Sequence, residues 1–314
     1  MKFSVFIFLL IFSIKNLYSQ NDSINENYYN NLILYSDLGY YSCPFDIKLN
    51  QSDKLKFRNN IKPFIGIGGC YKWGSLRIGT LINYNIKGLD NYGSTKVFKI
   101  GTEITYKNYL IDLSYYKLNG YTLLTNEKLN ISKNIIYDNL NLLSTSLNAY
   151  FFLNKKFSNY ALKGIKQSIK KNLYTLYLKT TTAIIDISNS YQILPESIIN
   201  NSNISLYKFS RINSFEIGLI PGIAFAFKPI TNYQIGGILG YGGVIIERFA
   251  EYNNTRRNFV GISPRFDFHL YFGYNVKNYF LMNYLDIEKR NIEFTNLDIT
   301  GNLVSYRLVA GYRF

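Results

Sequence analysis

Along most of this chain apolar and polar residues alternate with a period of two. That is the signature of a strand, in which successive side chains point to opposite faces. In 95–107, Phe98, Ile100, Thr102, Ile104 and Tyr106 share one face and Lys99, Gly101, Glu103, Thr105 and Lys107 the other. In 214–228, Phe215, Ile217, Leu219, Ile223, Phe225 and Phe227 alternate against Ser214, Glu216, Gly218, Gly222, Ala224 and Ala226. In 259–274, Val260, Ile262, Pro264, Phe266, Phe268, Leu270, Phe272 and Tyr274 oppose Gly261, Ser263, Arg265, Asp267, His269 and Gly273. The last strand is the clearest: Val304, Tyr306, Leu308, Ala310, Tyr312 and Phe314 fall on one parity, and Ser305, Arg307, Gly311 and Arg313 on the other.

Further strands are predicted at 61–73, 75–86, 109–121, 139–153, 157–163, 172–187, 233–249, 279–286 and 302–314, which makes about 12. The alternation slips in 188–210, a polar stretch containing Asn200-Asn-Ser-Asn203. Either a strand hides there or 32–40 is an additional first strand, so the expected count is 12–14. Short connections are expected at Trp73-Gly74, Lys107-Asn108, 229–232 and 276–278, like periplasmic turns. Longer ones, like outward loops, are expected at 87–94, 124–138, 251–257 and 287–300.

A soluble sandwich also alternates, with its apolar face in a shared core and its polar face in water. Here the apolar face is long, aromatic and unbroken over a length close to that of a tilted membrane-spanning strand. The opposite face is rich in glycine and in charges of both signs, as a crowded lumen would be. The expected fold is all-β: an antiparallel transmembrane β-barrel of about 12 strands, of the outer-membrane type. A secreted soluble β-sandwich binding protein is the rival.

The N-terminus fits export. Lys2 precedes an apolar run over 3–14, and Leu17-Tyr-Ser19 puts a small residue before a cut at about Gln20. The reading is a signal peptide over 1–19 and one barrel domain over 20–314. The apolar run is too short for a helical anchor, and no run of 18 apolar residues follows it. Closed barrels remain the way for such a chain to span lipid, because hydrocarbon satisfies no open strand edge. The tail resembles the C-terminal signal of bacterial outer-membrane barrels, which is read by the barrel-assembly machinery.

Composition adds weight. Aromatics are 17% of the chain, with 30 Tyr and 23 Phe, as interface girdles require. The net charge of +15 falls to +13 without Lys2 and Lys15. Basic residues are scattered and not clustered, which argues against nucleic acid and fits outer-membrane lipids and lipopolysaccharide or a simple Lys/Asn bias. Cys43 and Cys70 could form one disulfide in an oxidising compartment, or Cys70 could be a buried thiol in its strand. Their number and spacing suggest no metal site.

A family resemblance appears at particular residues. Phe57-Arg58-Asn59-Asn60, Gly66, Gly68 and Tyr71-Lys72 are followed by Gly93-Ser-Thr-Lys96 and then Tyr115-Tyr-Lys-Leu-Asn-Gly-Tyr121. Phe152-Leu-Asn-Lys-Lys-Phe-Ser158, the basic turn Ile169-Lys-Lys-Asn172 and Leu219-Ile-Pro-Gly222 continue the order. Together, from about Leu32 onward, these resemble a Bacteroidota outer-membrane β-barrel family known as domain-of-unknown-function family 4421. Asn59 stands where that pattern leads one to expect Pro, and the cluster before Asn172 is thinner than the family's. The resemblance implies an outer-membrane barrel and carries over no ligand, cofactor or catalytic residue.

Chemistry is sparse. His269 is the only histidine, and its parity puts it inward beside Asp267, as a member of a polar network. No nucleophile elbow, HExxH or P-loop pattern is present, so no catalytic residue, metal or cofactor is expected. The inward charges Arg77, Lys99, Glu103, Asp112, Glu216, Arg265, Asp267 and Arg307, with His269, are the candidate lumen lining. Lone buried charges are costly, so these are expected to pair across the lumen. The functional expectation is a small-solute channel or a structural surface barrel, located in the outer membrane; a lipid-modifying barrel enzyme is the alternative.

Overall fold

The computed structural model describes residues 25–28, 30–49, 53–82, 93–157, 159–169, 171–200, 205–252, 255–294 and 297–314. The expected signal peptide, 1–19, and most of the expected 87–94 loop lie outside the described residues. In chain order the strands are β1 Asn25–Asn27, β2 Ile33–Ser42, β3 Phe45–Leu49, β4 Asp53–Arg58, β5 Pro63–Tyr71, β6 Gly74–Leu81, β7 Lys96–Tyr106 and β8 Tyr109–Leu123. They continue as β9 Ile135–Phe152, β10 Gln167–Ile169, β11 Leu173–Ser188, β12 Arg211–Ile230, β13 Tyr233–Tyr252, β14 Thr255–Asn275, β15 Tyr279–Phe294 and β16 Leu297–Arg313. Two short helices, α1 Asn159–Lys163 and α2 Glu196–Asn200, sit in connections.

Twelve strands, β2, β5 to β9 and β11 to β16, close into one antiparallel ring. β16 shuts it by pairing with β2, with Leu308 opposite Leu38 and Arg313 opposite Ile33. The end holding Ile33 and Arg313 is here called the near end. All four short hairpins lie there, and Lys72, Lys107 and Asn232 take left-handed conformations in three of them. The ring has the expected number of strands, but β2, the strand left open at 32–40, stands in it where 157–163 was expected.

The outward face is apolar all round. At the near end Tyr71, Trp73, Tyr109, Tyr174, Tyr233, Tyr279 and Tyr312 stand exposed in a belt, and beyond it come Ile67, Leu113, Leu147, Ile217, Ile245 and Ile262. Belt below and aliphatic band above is the surface that a bilayer interface and its hydrocarbon select.

Inside, two apolar clusters fill the ends. At the far end the hairpin β3–β4 takes the place of β2 and β5 to β7 in the wall, pairing with β16 on one side and β8 on the other. Its alternation sends Phe45, Ile47, Leu49, Leu55 and Phe57 inward, all nearly fully buried. Ile193, Leu194, Ile198, Ile199 and Phe209 from the 188–210 connection pack against them. At the near end Phe157, Ala161, Leu162 and Ile169 form the second cluster with Tyr177, Phe280 and Met282. Each large side chain buried this way contributes about 1.5–3 kcal/mol.

Three expectations change. Residues 157–163 are not a strand: β9 ends at Phe152, Asn154 accepts from the Lys156 amide at 3.0 Å in a turn, and α1 follows. Their apolar side chains seat in the barrel mouth and have no alternating partner face. The described residues of the expected loops 251–257 and 287–300 are strand, and in the second Ile292, Phe294, Leu297 and Ile299 keep the inward alternation and bury themselves. Past Ser188, where β11 ends, no strand lies in the described part of 188–210, which forms the far-end cap instead.

The two cysteines are free and buried. Cys70 is in register with Ile33, while Cys43 follows Ser42 at the other end of β2. Ten strand residues, roughly 30 Å, separate those levels, far beyond disulfide reach.

Candidate functional site

Between the two apolar clusters the barrel carries a polar layer around a cavity of about 130 Å³. All nine sequence-derived lumen candidates turn inward into this layer or beside it. Arg77, Lys99, Glu103, Asp112, His269 and Arg307 line the cavity itself. Glu216, Arg265 and Asp267 do not; they form the layer just outside it.

Alternation explains the placing. Glu103 and Asp112 are directly opposite on β7 and β8, and Arg77 is opposite Gly101 across β6 and β7. On β14, Arg265, Asp267 and His269 follow one another at every second position and so rise up one wall.

Nearly every charge is matched. Arg77 grips Asp37 with two hydrogen bonds, Nε to Oδ2 at 2.6 Å and Nη2 to Oδ1 at 2.7 Å. Arg307 donates to Asp286 Oδ2 at 2.8 Å, and Ser305 donates to the same oxygen at 2.9 Å. Lys179 donates to Asp267 at 2.5 Å, and Arg290 to Glu288 at 3.0 Å. Arg265 pairs with the fully buried Glu216, and Lys163 of α1 with Glu103. In a low-dielectric interior such pairs are worth keeping only when complete, since removing one member strands the other.

His269 departs from expectation. Its partner is Asp286, with Nδ1 2.8 Å from Oδ1, and not Asp267, which is taken by Lys179. Two residues apart on one strand project in parallel, some 7 Å from each other, whereas His269 and Asp286 are directly opposite across β14 and β15. The other ring nitrogen, Nε2, is buried without a hydrogen-bond partner.

Several members of the layer were not among the candidates. Lys179 was available by parity within 172–187, two residues from Tyr177 and Thr181. Asp37 lies on the strand left undecided, and Asp286, Glu288 and Arg290 straddle the predicted end of 279–286. Lys163 comes from the segment expected to be a strand. Among the described residues no group of three or more His, Cys, Asp and Glu is placed to hold a metal ion.

The near-end plug is bound to the wall by polar contacts. Gly164 O accepts from Asn275 Nδ2 at 2.9 Å and from Arg313 Nη2 at 2.8 Å, and Lys163 O accepts from Tyr284 at 2.9 Å. Lys166 donates to the Gly74 carbonyl at 2.9 Å, and burial pulls its ammonium down to about 8.

A closed ring of twelve antiparallel strands, apolar outside, polar within and girdled by aromatics, defines an outer-membrane β-barrel. The chain belongs to the family described as a domain of unknown function, DUF4421, whose model matches residues 20–314. No curated protein matches it. Among solved structures it is similar to the translocator domain of the autotransporter NalP from Neisseria meningitidis, at 9% identity over 99% of this chain and 94% of that one, with a TM-score of 0.45. It is similar to the outer-membrane protease OmpT from Escherichia coli, at 10% identity over 92% and 98%, TM-score 0.39. The toluene transporter TodX from P. putida is similar at 7% identity over 90% of each chain, TM-score 0.30.

Proposed function

We propose that this outer-membrane barrel works closed, as a rigid surface barrel and not as a standing pore. The observation that carries the reading is the double seal: an apolar cap at the far end, an apolar plug at the near end, and a charge-matched layer between them. A water-filled channel needs a continuous polar path, and the two clusters interrupt it on either side of the cavity. In this reading the near end faces the periplasm and the capped end the outside.

The chain is exported by a signal peptide cut at about Gln20, as Lys2 and the apolar run of 3–14 suggest. It is folded into the outer membrane by the barrel-assembly machinery and contacts lipopolysaccharide and outer-membrane lipids through its apolar band. A Bacteroidota lineage follows the motif order from Phe57 onward. We also read it as having no enzymatic activity: His269 Nε2, the nitrogen a catalytic histidine turns to its nucleophile, meets no hydrogen-bond partner among the described residues. Purified protein in planar bilayers tests the closed state. Insertion without conductance steps is expected, and stable open steps from the wild-type barrel would overturn it.

A further inference from the structure

Two charges lining the cavity stand apart from the matched layer. Lys99 on β7 makes no ion pair among the described residues; its ammonium lies over the Tyr41 ring, 5.2 Å from the centroid. The charges nearest it are two cations, Arg77 and Arg307, and two carboxylates, Asp286 and Glu288, which are already taken by Arg307 and Arg290. Asp112 on β8 has one contact, from Asn148 Nδ2 at 3.3 Å. In a layer where other charges are matched directly, an ammonium without an ion pair and a carboxyl without one, Asp112 opposite Glu103, share one cavity.

The space between them is kept by a glycine. Gly101 lies on β7 between Lys99 and Glu103, on the inward face, and lines the cavity. A Cβ there would meet nothing closer than the Leu113 carbonyl at 3.8 Å, so no packing demand explains the missing side chain. Nearby, Arg307 Nε and His269 Nε2 are buried without hydrogen-bond partners. Register sets the spacing of the poles. Lys99 is opposite Tyr116, four residues along β8 from Asp112, which is roughly 13 Å of strand.

We infer that this cavity binds a small zwitterion, its anionic group against Lys99 and Arg307 and its ammonium against Asp112. The separation of the poles favours a molecule whose charges lie several ångströms apart, an ω-amino acid or a dipeptide of small residues, over glycine itself. This rests on the sealed lumen proposed above, because a solvated pore would screen both charges.

The test is saturable stabilisation of the purified barrel in detergent, with each probe present throughout refolding so that a slow plug cannot block entry. The probes are 4-aminobutyrate, 6-aminohexanoate, glycylglycine and glycine, with butyrate and butylamine as single-charge controls. At least one extended zwitterion is expected to raise the unfolding midpoint saturably, while butyrate and butylamine do not. Gly101→Val, which fills the cavity without changing charge, and Lys99→Met are expected to abolish the shift while keeping heat-modifiable gel migration as proof of folding. Should either variant fail to fold, Asp112→Asn serves in its place. No shift with any zwitterion overturns the proposal, as does an equal shift with butyrate or one that survives Gly101→Val. Conductance is read separately, so an empty pocket in a silent barrel and an open pore are distinct failures.

Discussion

Residue by residue, what matters is which face a side chain is given and whether its charge is matched. Phe268 and His269 are adjacent on β14, one turned to the apolar exterior and one to the cavity beside Asp286. Phe268→Lys places an ammonium in the lipid-facing band, at a cost of about 2–4 kcal/mol near the midplane. His269→Lys leaves a cation where Asp286 can still accept it. The first is expected to reduce the folded yield in membranes strongly and the second little, read as the heat-modifiable fraction on gels; equal yields would mean the faces are reversed. The pair Arg265–Glu216 is matched and nearly fully buried. Arg265→Leu strands a buried carboxylate and is expected to destabilise by about 3–5 kcal/mol. Arg265→Leu combined with Glu216→Leu should recover much of that loss, measured as the temperature at which the folded band disappears. A double variant no better than the single would show that the pair is not the source.

At the scale of elements, alternation was legible wherever a strand separates lipid from lumen, because both environments punish the wrong side chain. It was equally present in β3 and β4, where Phe45, Ile47 and Leu49 alternate with Asp46 and Lys48 around a short polar turn. That hairpin does not run the length of the ring; it completes the far-end wall between β16 and β8. The cap and the plug were hard to read for the same physical reason. Ile193, Leu194, Ile198 and Ile199, or Ala161 and Leu162, bury into a space defined by the finished barrel, which no local period describes. The layer's pairing was half legible: parity turned Arg265, Asp267 and His269 inward, but register across strands chose Lys179 and Asp286 as partners. The plug makes its own prediction. A Cβ at Gly236 of β13 would run into the Leu162 carbonyl of α1. Gly236→Leu should therefore unseat the plug while leaving the ring closed, seen as protease cleavage within 157–169 of a barrel that still migrates as folded. Resistance equal to wild type would show that α1 does not rest on that wall.

On the scale of the whole molecule, the ring holds two apolar stoppers with charge between them, and nature has placed one cysteine in each. Cys43 belongs to the far-end cluster and Cys70 to the near-end cluster, each about 4% exposed, and the chain has no others. They report on the two seals independently. The direct measurement is labelling of the folded barrel, in detergent and in liposomes, with a small charged maleimide, counted by intact mass. A doubly sealed lumen leaves both thiols unmodified over hours and exposes both after heating in SDS. Rapid labelling of either cysteine in barrels that still migrate as folded would show water reaching that cluster, and the closed state would be refuted.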